Sequence, residues 1–244
     1  MSDSSYISPR SLVAEFIGTM GLIIAAIGSI ILTTMVWGTD LRLCSFFINA
    51  IAVAFILFAL IETFGPLSGA HFNPAVTVAF TVSGECAPKK AVFYIAAQLS
   101  GALFGVLLLG IFFFDHLSGL FVISEIERSG ISLVLSEFFC AFMLVAIIFG
   151  CVRSGSNKTS LAVGLFVGGM ILATASTMFA NPAVSIARIF TETACGIAPL
   201  SALYFILANV AGAIAAAFTF GWLYPKKPKE EVCEAAACNA EKGA

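Results

Sequence analysis

Residues 71–80 read HFNPAVTVAF and residues 179–188 read FANPAVSIAR, so one pattern centred on Asn-Pro-Ala is written twice. Each motif has the chemistry of a helix start. Asn is a good N-cap, and Pro at the first helical position gives up only an N–H that would have been unpaired anyway. The apolar run after Asn73, Pro74–Val82, is too short to cross a bilayer core, which takes about 20 residues as a helix. The uncharged stretch Thr159–Ala187 is longer than one span and leaves a short apolar remainder from Asn181. Both motifs therefore predict half-helices, near 73–83 and 181–190, the first preceded by a breaker-rich loop, Gly65-Pro66-Leu67-Ser68-Gly69.

Working outward, the flanks of the two motifs also match. SLVAEFIGTMGLIIAAIG (11–28) is echoed by SLVLSEFFCAFMLVAIIFG (132–150), and AAQLSGALFGVLL (96–108) by LANVAGAIAAAFT (207–219). With 60% hydrophobic and 11% charged residues, against about 45–50% and 25% in soluble domains, the chain is built for lipid. Its uncharged runs give six spans, near 11–36, 43–64, 90–114, 131–152, 159–178 and 198–224. Each repeat holds an odd number of spans, so the second copy lies inverted relative to the first. The expected organisation is a tail over 1–10, a first repeat over 11–114, a loop over 115–130, a second repeat over 131–224 and a tail over 225–244.

Two half-helices entering an inverted pair of repeats meet near mid-membrane, where irregular backbone is tolerated only inside protein or beside a water-filled cavity. Carbonyls of the lead-in segments then line a path as acceptors, and the Asn73 and Asn181 amides act as donors. Two helix N-termini, each equivalent to about half a positive charge, disfavour cations there and admit neutral hydrogen-bonding molecules.

Arg10, Lys89, Lys90, Arg153, Lys158, Lys226, Lys227 and Lys229 fall on one side of the six-span arrangement, and Arg42, Arg128 and Arg188 on the other. By the positive-inside rule the termini, the 84–90 loop and the 152–158 loop are cytoplasmic and the chain is a multi-pass inner (plasma) membrane protein. The start, MSDSSYISPR, has no signal-peptide pattern. The seven cysteines form no paired framework and no metal-ligand spacing, so no cofactor and no metal are expected. Cys233 and Cys238, in an acidic, alanine-rich tail, are the pair whose spacing admits a soft-metal or metalloid contact. No basic patch suggests nucleic acid.

Ala14-Glu15-Phe16, Ser68 to Thr77, Gln98, Glu137 and Asn181-Pro182-Ala183 together resemble the aquaporin (major intrinsic protein) family from about Ser11 to Tyr224. The resemblance implies an all-α membrane fold of six spans and two re-entrant half-helices. It also implies a homotetramer with one pore per subunit and a passive, non-catalytic channel for water and small uncharged solutes. Pro74 and Ala75 belong to the first pore motif, and Pro182 and Ala183 to the second. By the same resemblance Glu15 and Glu137 hold the half-helix loops, a role set against a glutamate near the interface reaching headgroups, and His71 lines the pore.

At the selectivity filter the sequence departs from water-selective members, which carry Arg directly after the second motif. That position is Val184 here, and the other filter positions count to Val53, Gly169 and Met178, with Phe55 the alternative to Val53. Such a filter is wider and less polar. Arg188, one helical turn past Val184, has two readings: a mouth residue that partly replaces the missing arginine, or an outer-loop arginine pairing with Glu192. Val184 with Ala187-Arg188 resembles a bacterial branch linked to arsenic resistance, which extends the expected solutes to glycerol-like molecules and trivalent arsenic or metalloid acids. The rival reading is a secondary transporter built on an inverted repeat, with Glu15 and Glu137 as its candidate coupling carboxylates.

Overall fold

The structure is a computed structural model that describes residues 7–38 and 42–225. Residues 1–6, 39–41 and the tail from 226 on, with Cys233 and Cys238, lie outside the described residues. All the regular secondary structure among the described residues is helical. Its helices are α1 (Pro9–Ile31, continued by a π turn over Leu32–Val36), α2 (Arg42–Ser68), α3 (Pro74–Val82) and α4 (Pro88–Phe112). After a single 3-10 turn at Phe114–His116 come α5 (Ile131–Ser154), α6 (Thr159–Ala173), α7 (Pro182–Ile189) and α8 (Pro199–Leu223).

α1 to α4 are repeated in kind by α5 to α8, and the packing repeats too. α1 lies on α4, α5 lies on α8, and each half-helix, α3 or α7, packs between α4 and α8. Glycine at matching positions permits the two long-helix crossings. A Cβ on Gly101 would lie 2.2 Å from the Phe16 carbonyl oxygen, and one on Gly212 would lie 2.2 Å from that of Phe138. Backbones approach this closely in lipid because small residues let dispersion act between helices where no hydrophobic effect distinguishes protein from acyl chain.

Two expectations need correction. The Gly65–Gly69 stretch is not a loop: α2 runs through Gly65 and Pro66 to Ser68, with Gly69 N–H donating to the Gly65 carbonyl at 2.9 Å. Pro66 sits in the last turn of the helix, where its missing N–H removes one bond, to the Glu62 carbonyl. The fifth span ends early: α6 stops at Ala173, not near 178. Its 15 residues rise about 22 Å, less than the ~30 Å hydrocarbon core. Residues 174–181 are drawn off as lead-in to α7, so among the described residues five helices are long enough to cross a membrane and α6 is a shorter apolar one.

Candidate functional site: the paired half-helices and the cavity between the repeats

Asn73 and Asn181 cap α3 and α7 with almost the same backbone, φ -154° and ψ 118° against φ -154° and ψ 113°. Each side-chain oxygen accepts from the backbone N–H two residues on, Ala75 at 2.8 Å and Ala183 at 2.9 Å. Each amide nitrogen crosses to the other repeat. Asn73 Nδ2 donates to the Ala180 carbonyl at 2.8 Å, and Asn181 Nδ2 donates to the Phe72 carbonyl at 2.9 Å. One amide proton of each Asn thus ties the two half-helices tip to tip. The other remains for the cavity, which both residues line.

The lead-in segments carry every positive-φ residue other than glycine among the described residues: Ala70, Phe72, Thr177, Met178 and Ala180. Counted back from each Asn they fall in register, with Gly69 (φ +87°) matching Thr177 (φ +59°). Left-handed backbone costs a residue with a Cβ about 1–2 kcal/mol, so something must hold these turns. The holders are the two buried glutamates. Glu15 accepts from His71 N–H (3.0 Å), Phe72 N–H (2.7 Å), Ser68 Oγ (2.6 Å) and Gln98 Nε2 (2.7 Å). Glu137 accepts from Phe179 N–H (2.8 Å), Ala180 N–H (2.7 Å) and Asn209 Nδ2 (2.8 Å). With their N–H groups drawn back to a carboxylate, the carbonyls of Phe72 and Ala180 point forward to the opposing asparagines. Neither glutamate lines the cavity, and both are fully buried.

The cavity runs between α1, α2, α5, α6 and the two lead-in segments and encloses, with the solvent space at its mouths, about 890 Å³. Val53, Met178 and Val184 line it, as do His71 and Arg188. Phe55 is 71% exposed on the outside of α2, away from the cavity that Val53 lines. Gly169 is a correction: it is exposed, has open space where a side chain would stand, and is absent from the cavity wall. α6 turns Val163, Val167 and Ile171 inward at i, i+4, i+8, and Gly169 lies on the opposite face. An ungapped count gives a position in the sequence and not the helix face on which it falls. His71 is pinned by Thr77 Oγ1, 3.1 Å from its Nδ1, and stacks on Phe80 at 4.7 Å between ring centroids.

Arg188 is 4% exposed and faces the cavity, with its guanidinium 4.1 Å from the Phe179 ring centroid and Nη2 donating to the Ala26 carbonyl at 3.4 Å. It does not pair with Glu192, whose oxygens accept from the backbone N–H and hydroxyl of Ser118, each at 2.7 Å. Arg128, in the loop before α5, lies 5.4 Å over the same Phe179 ring and donates to the carbonyls of Gly196 (2.9 Å) and Ala194 (2.8 Å). Burial, and then the charge of Arg188, push its pKa down from the ordinary arginine value. Glu62 contacts the Ser160 hydroxyl near the start of α6, outside the pore wall. Asn209 was missed in the sequence, although the repeat alignment placed it opposite Gln98; both amides serve their repeat's glutamate.

A model of the major intrinsic protein family matches residues 3–178. The chain belongs to that family. It is similar over 221 residues, at 39% identity, to aquaglyceroporin AqpS of Rhizobium meliloti, covering 90% of this chain and 92% of the relative. It is 29% identical over 234 residues to the probable aquaporin NIP4-2 of Arabidopsis thaliana, covering 93% of this chain and 80% of that one. Among solved structures the aquaglyceroporin from Plasmodium falciparum superposes with a TM-score of 0.66 at 20% identity, over 89% of this chain and 96% of that one. This major intrinsic protein is a membrane channel for water and small uncharged solutes, and not an enzyme. The transporter alternative loses its coupling groups, because both glutamates are spent on loop backbone and, among the described residues, the cavity wall carries no Asp or Glu.

Proposed function

We propose that this channel has a wide, largely apolar filter that passes glycerol-sized polyols and undissociated trivalent metalloid acids as well as water. The observation that carries the reading is the apolar set of Val53, Ile171, Met178 and Val184 around the cavity beyond the half-helix tips. Aliphatic walls contact the carbon face of a polyol, while the Asn73 and Asn181 amides and loop carbonyls serve its hydroxyls. Arsenous acid has the same neutral, multi-hydroxyl character. The exclusion of cations rests on the two half-helix N-termini and Arg188. The distribution of Lys and Arg supports cytoplasmic termini in a plasma membrane, and family membership supports a homotetramer with one pore per subunit.

Stopped-flow volume changes of proteoliposomes in water, glycerol and arsenous acid gradients test the proposal against Val184→Arg. The substitution is expected to suppress glycerol and arsenous acid flux much more than water flux. Equal loss of all three, or a wild type closed to everything but water, would sink it.

A further inference from the structure

Arg188 is an orphaned cation aimed into the cavity. Its Nε has no hydrogen-bond partner, and its one bond, to Ala26, is long at 3.4 Å. Arg128 adds a second positive charge on the same Phe179 ring, with donors already committed to the Ala194 and Gly196 carbonyls. Neither has a carboxylate at ion-pair distance; among the described residues the one ion pair is Arg153 with Glu85. Glu137 attracts Arg188 from further off, but its oxygens are taken by Phe179, Ala180 and Asn209. A buried charge without a paired counter-charge is costly, and a guanidinium relieves that cost through any small acceptor reaching its fork. The cavity gives such an acceptor room, and among the described residues its wall carries no acidic side chain to repel an anion.

We infer that the Arg188 guanidinium, backed by Arg128, binds a small monovalent anion at this mouth of the pore, and that the bound anion obstructs solute flow. A planar oxyanion suits the guanidinium fork best. Beyond Arg188 an anion meets Val184, Val53 and Met178, which offer side-chain contacts with no hydrogen-bond donor. It therefore resides instead of passing. The inference rests on the channel reading above but not on the width of the filter.

The test is water and glycerol flux in proteoliposomes equilibrated on both sides with sodium nitrate or, at equal osmolarity and pH, sodium gluconate, whose anion is too bulky for the site. Nitrate is expected to lower wild-type flux saturably, by about half at its dissociation constant, on the order of millimolar. Arg188→Gln is expected to lose the nitrate dependence, and Arg188→Lys to keep it at higher concentration because an ammonium lacks the fork. Should the glutamine variant fail to insert, the lysine variant and the wild-type titration decide. Equal wild-type flux in nitrate and gluconate overturns the site, as does undiminished nitrate sensitivity without Arg188. A wild type closed to glycerol but sensitive to nitrate removes the wide filter and leaves the anion site; the reverse outcome removes the anion site alone.

Discussion

At the residue scale the two glutamates explain why strained loops persist in the middle of the molecule. Each gathers backbone N–H groups of a left-handed segment, and each leans on an amide from the last long helix of its repeat, Gln98 or Asn209. In Glu137→Gln the side chain brings an amide donor against the N–H groups of Phe179 and Ala180, and one N–H loses its acceptor. A buried N–H left unsatisfied costs about 1–3 kcal/mol. Glu137→Gln is expected to lower the thermal unfolding midpoint in detergent and to reduce flux for every solute alike, because the α7 lead-in is disturbed rather than the filter. A selective loss of glycerol flux would contradict that role.

At the element scale the crossings of α1 with α4 and α5 with α8 depend on two glycines with repeat-related neighbours. Gly101→Ala and Gly212→Ala each place a Cβ 2.2 Å from a carbonyl oxygen in the facing helix, a contact that backbone cannot relax as a flexible side chain would. Overpacking of this kind costs about 1–3 kcal/mol, and here it pushes the paired helices away from each other. Both variants are expected to show lower unfolding midpoints, by similar amounts because the two sites are equivalent. A large effect at Gly101 with none at Gly212 would show that the packing symmetry has no energetic counterpart. Which helix each glycine faces is set by the tertiary packing and not by its place in the sequence.

At the scale of the whole molecule, the loop between the repeats is tied to the α7–α8 connection of the second repeat by Ser118 and Glu192. Two hydrogen bonds from Ser118 hold the Glu192 carboxylate below its ordinary pKa. A depressed folded-state pKa contributes stability that is present above the unfolded value and lost as pH falls through the folded one. Protection factors of residues 117–122 and 190–196, taken against the intrinsic exchange rate at each pH, are therefore expected to be flat across neutral pH and to fall on the acid side of the usual carboxylate range. Ser118→Ala should bring that fall to higher pH. An unchanged profile in Ser118→Ala would rule the latch out. Glu192 is exposed, so the effect belongs to loop order and not to global stability.

The inverted repeat, the two half-helix starts and the acids inside apolar spans were legible in the sequence. Each is a local signal: a motif written twice, an acid inside an apolar run, a Pro after an N-cap. What only the tertiary structure decided depends on where α6 ends and which way its faces turn. The phase of α6 turns Val167 and Ile171 to the cavity wall and Gly169 outside, and its stop at Ala173 leaves residues 174–181 to lead into α7. Arg188 shows the same limit: its spacing allowed either a pore residue or a partner for Glu192. Folding chose, because Ser118 takes Glu192 from another loop, while Phe179, held in place by Glu137, offers the guanidinium a ring inside the pore.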